Sequence, residues 1–186
     1  NLTSVFISES VASIGYAAFI NCSSLSSIIV NESNPIYDSR NNCNAIIRTA
    51  TNRLVQGCST TIIPEGVTTI GDDAFAFINT LTSISIPNSV LSIESGAFRG
   101  SSNLSTIDLG NGLTAIKELA FMNCTSLGSI TLPASVTTIG GMAFAGATKY
   151  SLDCAASERQ WSIGGYLVEA GQGAIQGAAT FGLAYL

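Results

Sequence analysis

The side chains that could do chemistry in this chain are few, and they fall outside the usual catalytic combinations. Histidine is absent from all 186 residues, so the commonest general base and the commonest metal ligand are missing. A catalytic site would have to be built from carboxylates, lysine, tyrosine or thiols alone. We therefore predict that the chain is not an enzyme and has no catalytic residues, no metal site and no cofactor.

One adjacent pair of carboxylates, Asp72 and Asp73, suggests a calcium site, because calcium prefers oxygen ligands. The pair follows Gly71 in a predicted turn, and the equivalent positions of three other repeats carry no acidic side chain. We therefore favour a solvated turn over a calcium site. Asp108 lies on the outward side of a predicted strand and has no acidic partner with which to act as an acid or base.

Two of the five cysteines, Cys43 and Cys58, flank a predicted β-hairpin. Strand-like segments with the sequences NAIIR and RLVQG surround the turn residues TATN. If Arg48 pairs with Arg53, Cys43 lies opposite Cys58, and such cross-strand positions are close enough for a disulfide. The alternatives are two unpaired thiols, a register slip, or an acidic neighbour that relieves the repulsion between the two arginines.

The other cysteines predict no further chemistry. Cys22 and Cys124 occupy the same repeat position, and we interpret them as small buried hydrophobic residues. Cys154 is unpaired by the repeat pattern. The sequence contains no C-x-x-C motif, so it does not support a zinc site.

A repeating sequence unit determines where these residues lie in the predicted fold. The unit that begins at Leu25 carries ten extra residues, which we assign to the hairpin as an insert at about residues 31–58. The constant period predicts a repeat solenoid of stacked coils rather than a β-sandwich whose strands are similar by coincidence. The period of 23 residues is read from four phenylalanines, Phe75, Phe98, Phe121 and Phe144.

Each position of the unit has a physical interpretation. In the unit LTSISIPNSVLSIESGAF, Ile84 and Ile86 alternate with serines, which predicts a short strand with one buried face. A glycine follows in three units, at Gly15, Gly71 and Gly140, and predicts a turn with positive φ. Glu94 and Lys117 take this place in two other units, so the conformation is not obligatory. The final Ala-Phe pair places a small residue and a large ring in the core.

The repeats divide the chain into two parts. We expect six units over residues 1–155 and a C-terminal cap or extension over residues 156–186. The tail is rich in glycine and alanine. Because the end of a solenoid exposes apolar edges, a cap is our first interpretation. A disordered or non-native extension is the alternative, and the glycine and glutamine content argues against a membrane span.

The outward strand positions are the best candidates for binding, because the core does not constrain them. Most carry small hydroxyls, but Phe6, Ile29 and Ile62 are apolar and are predicted to lie side by side on neighbouring strands. An exposed apolar row can mark an interface, and burial by the insert or by upstream coils is the alternative. The candidate binding residues are Phe6, Ile29, Ile62, Ser83, Ser85, Thr106, Asp108, Ser129 and Thr131.

Composition limits the partners of such a surface. Hydrophobic residues make up 46% of the chain and charged residues 10%, with a net charge of −5. No basic stripe is present to neutralise phosphates, so we do not expect nucleic acid as a partner. The polar surface must instead come from serine, threonine, asparagine and glycine.

The phrases SISIPNSVLSIESGAF, NCSSL and NCTSL resemble the BspA-like leucine-rich repeat family over about residues 1–155. The long unit VNESNPIYDSRNNCNAIIRTATNRLVQGC resembles the non-repeat insert of such proteins. The resemblance implies a right-handed leucine-rich-repeat solenoid, β-rich with short turns and helical segments. It also implies a cell-surface or secreted protein of the kind found in gut and oral bacteria and some protozoa, where family members are linked to adhesion.

From this resemblance we expect a non-enzymatic protein-binding or adhesion module, located at the cell surface or outside the cell. Its ligand would be a protein or glycan on host or neighbouring cells. We do not expect the repeats to associate with a membrane. A structural spacer solenoid within a larger multidomain chain is the alternative function.

Overall fold

The computed structural model describes residues 2–147 and the backbone of residues 151–154, 159–163, 166–170 and 175–176. Short β-strands dominate, with one 3-10 turn at Arg40–Asn42. The strands are β1 (Ser4–Ile7), β2 (Ser27–Val30), β3 (Tyr37–Asp38), β4 (Ala45–Arg48), β5 (Arg53–Gly57), β6 (Thr69–Ile70), β7 (Ser83–Ile86), β8 (Ser92–Ile93), β9 (Thr106–Leu109), β10 (Ala115–Ile116), β11 (Ser129–Leu132), β12 (Thr138–Ile139), β13 (Ser151–Cys154), β14 (Arg159–Ile163), β15 (Tyr166–Ala170) and β16 (Ile175–Gln176).

A regular coil contains a four-residue strand followed by a two-residue strand. In β7 the serines point outward and Ile84 and Ile86 are buried, as period-two alternation requires. Equivalent strands of successive coils pair in parallel, so that Ile84 lies beside Ile107 and Ile70 beside Ile93. The ladder of second strands runs through β5, β6, β8, β10, β12 and β14. The predicted repeat solenoid is thereby confirmed.

Stacked phenylalanine rings run through the core of the third to sixth coils. Phe75 and Phe98 have ring centroids 5.0 Å apart, and the next two pairs are separated by 5.2 and 5.3 Å with nearly parallel rings. The ladder ends against Gly57, where a Cβ would lie 2.1 Å from the Phe75 ring. The lack of a side chain at residue 57 therefore makes room for the first ring.

The predicted positive φ does not occur at the three glycines that follow the second strand. Two of the glycines are closely packed instead, since a Cβ would lie 2.5 Å from the Leu54 carbonyl oxygen at Gly71 and 2.2 Å from the Glu118 backbone nitrogen at Gly140, whereas a Cβ at Gly15 would meet no atom within 4 Å. Positive φ occurs two and six residues later, at the same two positions of five coils. These residues are Ala17 and Asn21, Asp73 and Phe77, Gly96 and Gly100, Leu119 and Asn123, and Met142 and Gly146.

The second coil exchanges its phenylalanine turn for a hairpin. In the third coil, Leu81, which opens the next coil, follows Ile70 of the second strand by eleven positions. In the second coil, Leu54 is equivalent to Ile70, and Cys58, which opens the next coil, follows it by only four positions. Strands β3, β4 and β5 form an antiparallel sheet within this coil, and β5 joins the ladder of second strands beside β6. The second coil therefore gains residues in the hairpin region and loses the residues of the phenylalanine turn. The ten extra residues are the net gain.

The hairpin begins in the predicted register and then shifts. Arg48 lies opposite Arg53 and Ile47 opposite Leu54, but a β-bulge follows, after which Ile46 pairs with Gln56. A bulge adds one residue to one strand, so every later position changes its partner. The pairing of Arg48 with Arg53 is therefore as predicted, and Asp72 gives Arg53 the acidic neighbour that the sequence left open.

The hairpin separates two hydrophobic clusters. Ile47 of β4 belongs to the large cluster that contains the phenylalanine ladder. Its neighbour Ile46 belongs to a smaller cluster under β1 and β2, together with Ile7, Ile28 and Tyr37. Because successive side chains of a strand point to opposite faces, the hairpin forms a wall that both clusters pack against.

The C-terminal strands extend both ladders through their backbone. Strand β13 pairs in parallel with β11, and β14 pairs in parallel with β12. Antiparallel strands then follow, with β15 beside β14 and β16 beside β13. The side chains of the tail, on which the expectation of a cap depends, lie outside the described residues.

Candidate binding surface

The first strands of the coils present an exposed face. Phe6 of β1 lies directly beside Ile29 of β2, and their side chains are 62% and 54% exposed. Serines and threonines replace them farther along, where Ser85 lies beside Asp108. Ser129 lies in β11, but its side chain is outside the described set. The other exposed candidates on this face are Ser83, Thr106 and Thr131.

A hollow of about 810 Å³ covers the apolar part of this face, and we call it the N-terminal hollow. Its floor contains Phe6 and Ile29, and its wall contains Asp38 and the 3-10 turn Arg40–Asn42 of the insert. An exposed apolar floor beside amide, carboxylate and guanidinium groups can hold a ligand by contact and by hydrogen bonding. The hollow therefore combines the two features that a binding site needs.

The wall of the N-terminal hollow is held in place by an ion pair. Arg40 donates from Nη2 and Nε to the Asp38 carboxylate, at 2.6 and 2.8 Å, and from Nη1 to Asn52 at 3.0 Å. Burial alone would raise the pKa of Asp38, but the hydrogen bonds from Arg40 and Thr49 outweigh it and lower that pKa. The carboxylate therefore stays ionised at neutral pH and fixes the turn.

Sequence reasoning missed this wall, although a signal was present. Asn41, Asn42 and Asn44 all have positive φ, a conformation that asparagine tolerates better than most residues. The run RNNCN therefore marked a tight turn. Nothing in the sequence showed that the turn would stand beside Phe6 and Ile29.

Ile62 departs from the predicted apolar row. It is 77% exposed, but it lies in a segment that forms no strand, and its backbone N–H donates to Cys43. Asn44 accepts from the Ile28 backbone on one side and from the Thr61 hydroxyl on the other. Because the insert passes between the second and third coils here, the prediction that Ile62 lies beside Ile29 on a neighbouring strand is wrong.

Ile62 instead borders a second hollow of about 810 Å³, which we call the C-terminal hollow. Ser83, Ser85 and Thr106 line it together with Asp108, which accepts a hydrogen bond of 3.4 Å from Ser85. The exposed strand side chains of this hollow are hydroxyls and a carboxylate, whereas those of the N-terminal hollow include Phe6 and Ile29. The insert thus divides the strand face into two surfaces of different chemistry.

Cys43 and Cys58 do not form the disulfide that the sequence left possible. They are free, buried thiols, as in the alternative interpretation, and they belong to different hydrophobic clusters on opposite sides of the hairpin. The bulge in β5 removes the register that would place them opposite each other. Burial raises the pKa of Cys43, and it raises the pKa of Cys124 to about 12. Both thiols are therefore kept protonated and unreactive at neutral pH.

The two adjacent carboxylates differ from each other. Asp72 is exposed and pairs with Arg53 at 2.6 Å, which agrees with the interpretation as a solvated turn. Asp73 is buried, pairs with Arg99 at 2.6 Å and accepts a hydrogen bond from the Tyr16 hydroxyl, so that interpretation is wrong for Asp73. Within the described residues no group of three His, Cys, Asp or Glu side chains could hold a metal ion.

The long hydrophobic stretches of this chain do not form a membrane helix in its described part. No helix among those residues is both long and apolar enough to cross a bilayer.

Similar solved structures include a bacterial cell surface protein and a pneumococcal vaccine antigen. A leucine-rich cell surface protein from Faecalibacterium prausnitzii is 27% identical, with a TM-score of 0.69, over 84% of this chain and 48% of that chain. The pneumococcal vaccine antigen PcpA, 20% identical over 88% of this chain and 42% of that chain, also has a TM-score of 0.69 and shows the same fold. The chain thus spans a little under half the length of each.

No curated protein matches the sequence. The family described as the BspA type leucine-rich repeat region matches residues 1–47 and 52–160 in six copies. The unmatched residues 48–51 lie at the tip of the hairpin, where the structure also departs from the repeat. A match over most of the chain, on a solenoid with the same period, shows that the chain belongs to the BspA-type leucine-rich repeat family.

Proposed function

We propose that the chain is a non-enzymatic binding module that acts at the cell surface or outside the cell. Its ligand is a protein or glycan on host or neighbouring cells, and the strand face is the surface that engages it. The description of the Faecalibacterium relative as a cell surface protein supports this location.

The N-terminal hollow is the observation that carries the proposal. Two large apolar side chains, Phe6 and Ile29, are more than half exposed there, although each would contribute about 1.5–3 kcal/mol if it were buried. The insert places a fixed polar wall beside them through the pair of Asp38 and Arg40. A preformed surface of this kind loses little conformational freedom when a ligand binds.

Adhesion of coated beads to cells tests the proposal. Beads that carry the purified chain are applied to epithelial cells and to bacterial cells, and the double variant Phe6→Ser with Ile29→Ser is compared with the wild type. Because two apolar contacts are removed, we expect adhesion to fall about tenfold or more. Pretreatment of the cells with protease or with glycosidases then distinguishes a protein ligand from a glycan.

A matched control is available at Leu91, which is 49% exposed and borders neither hollow. Leu91→Ser should leave adhesion and the melting temperature unchanged. If the double variant keeps its melting temperature and adheres as well as the wild type, the strand face does not bind. Adhesion that is absent even in the wild type favours the spacer function instead.

A further inference from the structure

The phenylalanine turns of the regular coils are joined to each other by backbone hydrogen bonds. The N–H groups of Phe75, Phe98 and Phe121 each donate to the next coil, at 2.7 Å in every case. The residue two positions before each phenylalanine donates in the same direction, as Asp73 does to Ser95 at 3.1 Å. Each turn is therefore one rung of a hydrogen-bonded ladder.

The ladder lacks one rung, because the second coil has no phenylalanine turn. In the first coil, Ala17 and Phe19 occupy the positions of Asp73 and Phe75, and their N–H groups find no acceptor among the described residues. On the far side of the gap, the Asp72 carbonyl has no donor within the same part of the chain. One wall of the gap thus carries two donors, and the other carries an acceptor, that have no partner in the described structure.

A pocket of about 210 Å³ occupies this gap. The turn of the first coil forms one wall, and residues 71–73 form the other. Arg48, Arg53, Val55 and Gln56 complete the lining. Tyr16 bridges the rim by donating to the Asp73 carboxylate. Gly57 and Gln56 satisfy only one carbonyl of the third coil, that of Ala74. The hairpin therefore fills part of the space that a full rung would take.

The pocket carries one uncompensated positive charge. Arg53 is paired with Asp72, and Asp73 is paired with Arg99, but Arg48 has no carboxylate partner among the described residues. Its guanidinium lies 5.4 Å from the centre of the Tyr37 ring and donates to the Tyr37 hydroxyl at 3.2 Å. These contacts orient the cation without neutralising it.

A buried amide gives a second indication of a ligand. Gln56 is 7% exposed and uses its Nε2 to donate to the Gly57 and Ala74 carbonyls, whereas its Oε1 has no donor within the described structure. A buried acceptor without a partner is costly. A ligand that brings an N–H group into the pocket would satisfy it.

We propose that this pocket binds a short acidic peptide segment, which adds the missing rung. The carbonyl groups of the peptide accept from Ala17 and Phe19, its N–H groups donate to the Asp72 carbonyl, and its carboxylate pairs with Arg48. Donors and acceptors on two parallel walls match a polypeptide backbone, which carries both at strand spacing. The pocket shares no lining residue with either hollow of the strand face, so it stands independently of the proposed function.

Titration of the full chain with model peptides, followed by amide NMR, tests this site. The probes are acetyl-Gly-Asp-Gly-amide and its uncharged counterpart acetyl-Gly-Asn-Gly-amide. We expect saturable shifts of the Ala17 and Phe19 amides with the aspartyl peptide, and binding at least about tenfold weaker with the asparaginyl peptide because the charged hydrogen bond to Arg48 is lost.

Two substitutions make the test specific. Arg48→Gln should weaken the aspartyl peptide at least about tenfold, whereas Lys117→Gln, which removes an exposed cation elsewhere, should change nothing. Arg48→Lys keeps the charge and should retain most of the affinity. Unchanged amide spectra outside the pocket show that each variant is folded.

Three results would overturn the proposal. The first is an absence of shifts at Ala17 and Phe19 at millimolar concentrations of the aspartyl peptide. The second is equal affinity for acetate and for that peptide, because the backbone would then contribute nothing. The third is tighter binding of glucuronic acid at the same amides, which would assign the pocket to an acidic sugar.

Discussion

At the scale of single residues, the stacked phenylalanines are the clearest source of stability. Phe75, Phe98 and Phe121 are fully buried, and their rings lie nearly parallel at about the spacing of successive coils. Each ring therefore packs against an identical neighbour, which combines apolar burial with aromatic contact. The same residue type on the outer face, Phe6, has no such surroundings, since it is 62% exposed.

Phe98→Ala should destabilise the protein by about 3–5 kcal/mol, because it removes a ring between two others and leaves a cavity. Phe6→Ala, the same substitution at an exposed site, should change stability by less than about 0.5 kcal/mol. Urea unfolding of both variants measures the difference. Equal effects would mean that the rings do not form a core ladder.

At the scale of elements, the sequence predicted the strands that the repeat period determines. It did not predict the turn conformations that depend on local backbone geometry. The alternation around Ile84 predicted a strand correctly. The glycine after the second strand misled, because positive φ falls two and six residues later, on residues as different as Ala17 and Leu119. No residue type marks such positions when tertiary packing imposes the turn.

The hairpin shows the same limit. Arg48 and Arg53 pair as the sequence predicts, but the bulge that follows has no signature in RLVQG. The partners of the binding-face residues could be predicted from the sequence only in part. The pairing of Phe6 with Ile29 follows from the period, whereas the separation of Ile62 depends on the path of the insert.

The bulge leads to a prediction about the cysteines. Because Cys43 and Cys58 lie in different clusters, oxidation of the folded protein should not link them, even though they flank one hairpin. Peptide mapping by mass spectrometry after treatment with oxidised glutathione measures this, with the urea-unfolded protein as the control in which the link can form. A Cys43–Cys58 disulfide in the folded sample would show that the register has no bulge.

At the scale of the whole molecule, the insert organises the solenoid into unequal parts. It separates the small cluster under β1 and β2 from the large cluster of the later coils. It also divides the strand face into two hollows and, by replacing one phenylalanine turn, opens the gap beside Arg48. The sequence could not reveal the last feature, since an excess of ten residues does not show that a turn has been lost as well as a hairpin gained.

Amide hydrogen exchange resolved to single residues is the most direct test of the stacked coils and of the turn that the second coil has lost. Stacked coils require slow exchange at Phe98 and Phe121, whose N–H groups donate to the next coil. The lost turn requires fast exchange at Phe19, which occupies the same repeat position without an acceptor in the described structure. Fast exchange at Phe19, Phe98 and Phe121 alike would contradict the stacking of the coils. Equal protection of the three amides would show that the second coil supplies an acceptor for the Phe19 N–H.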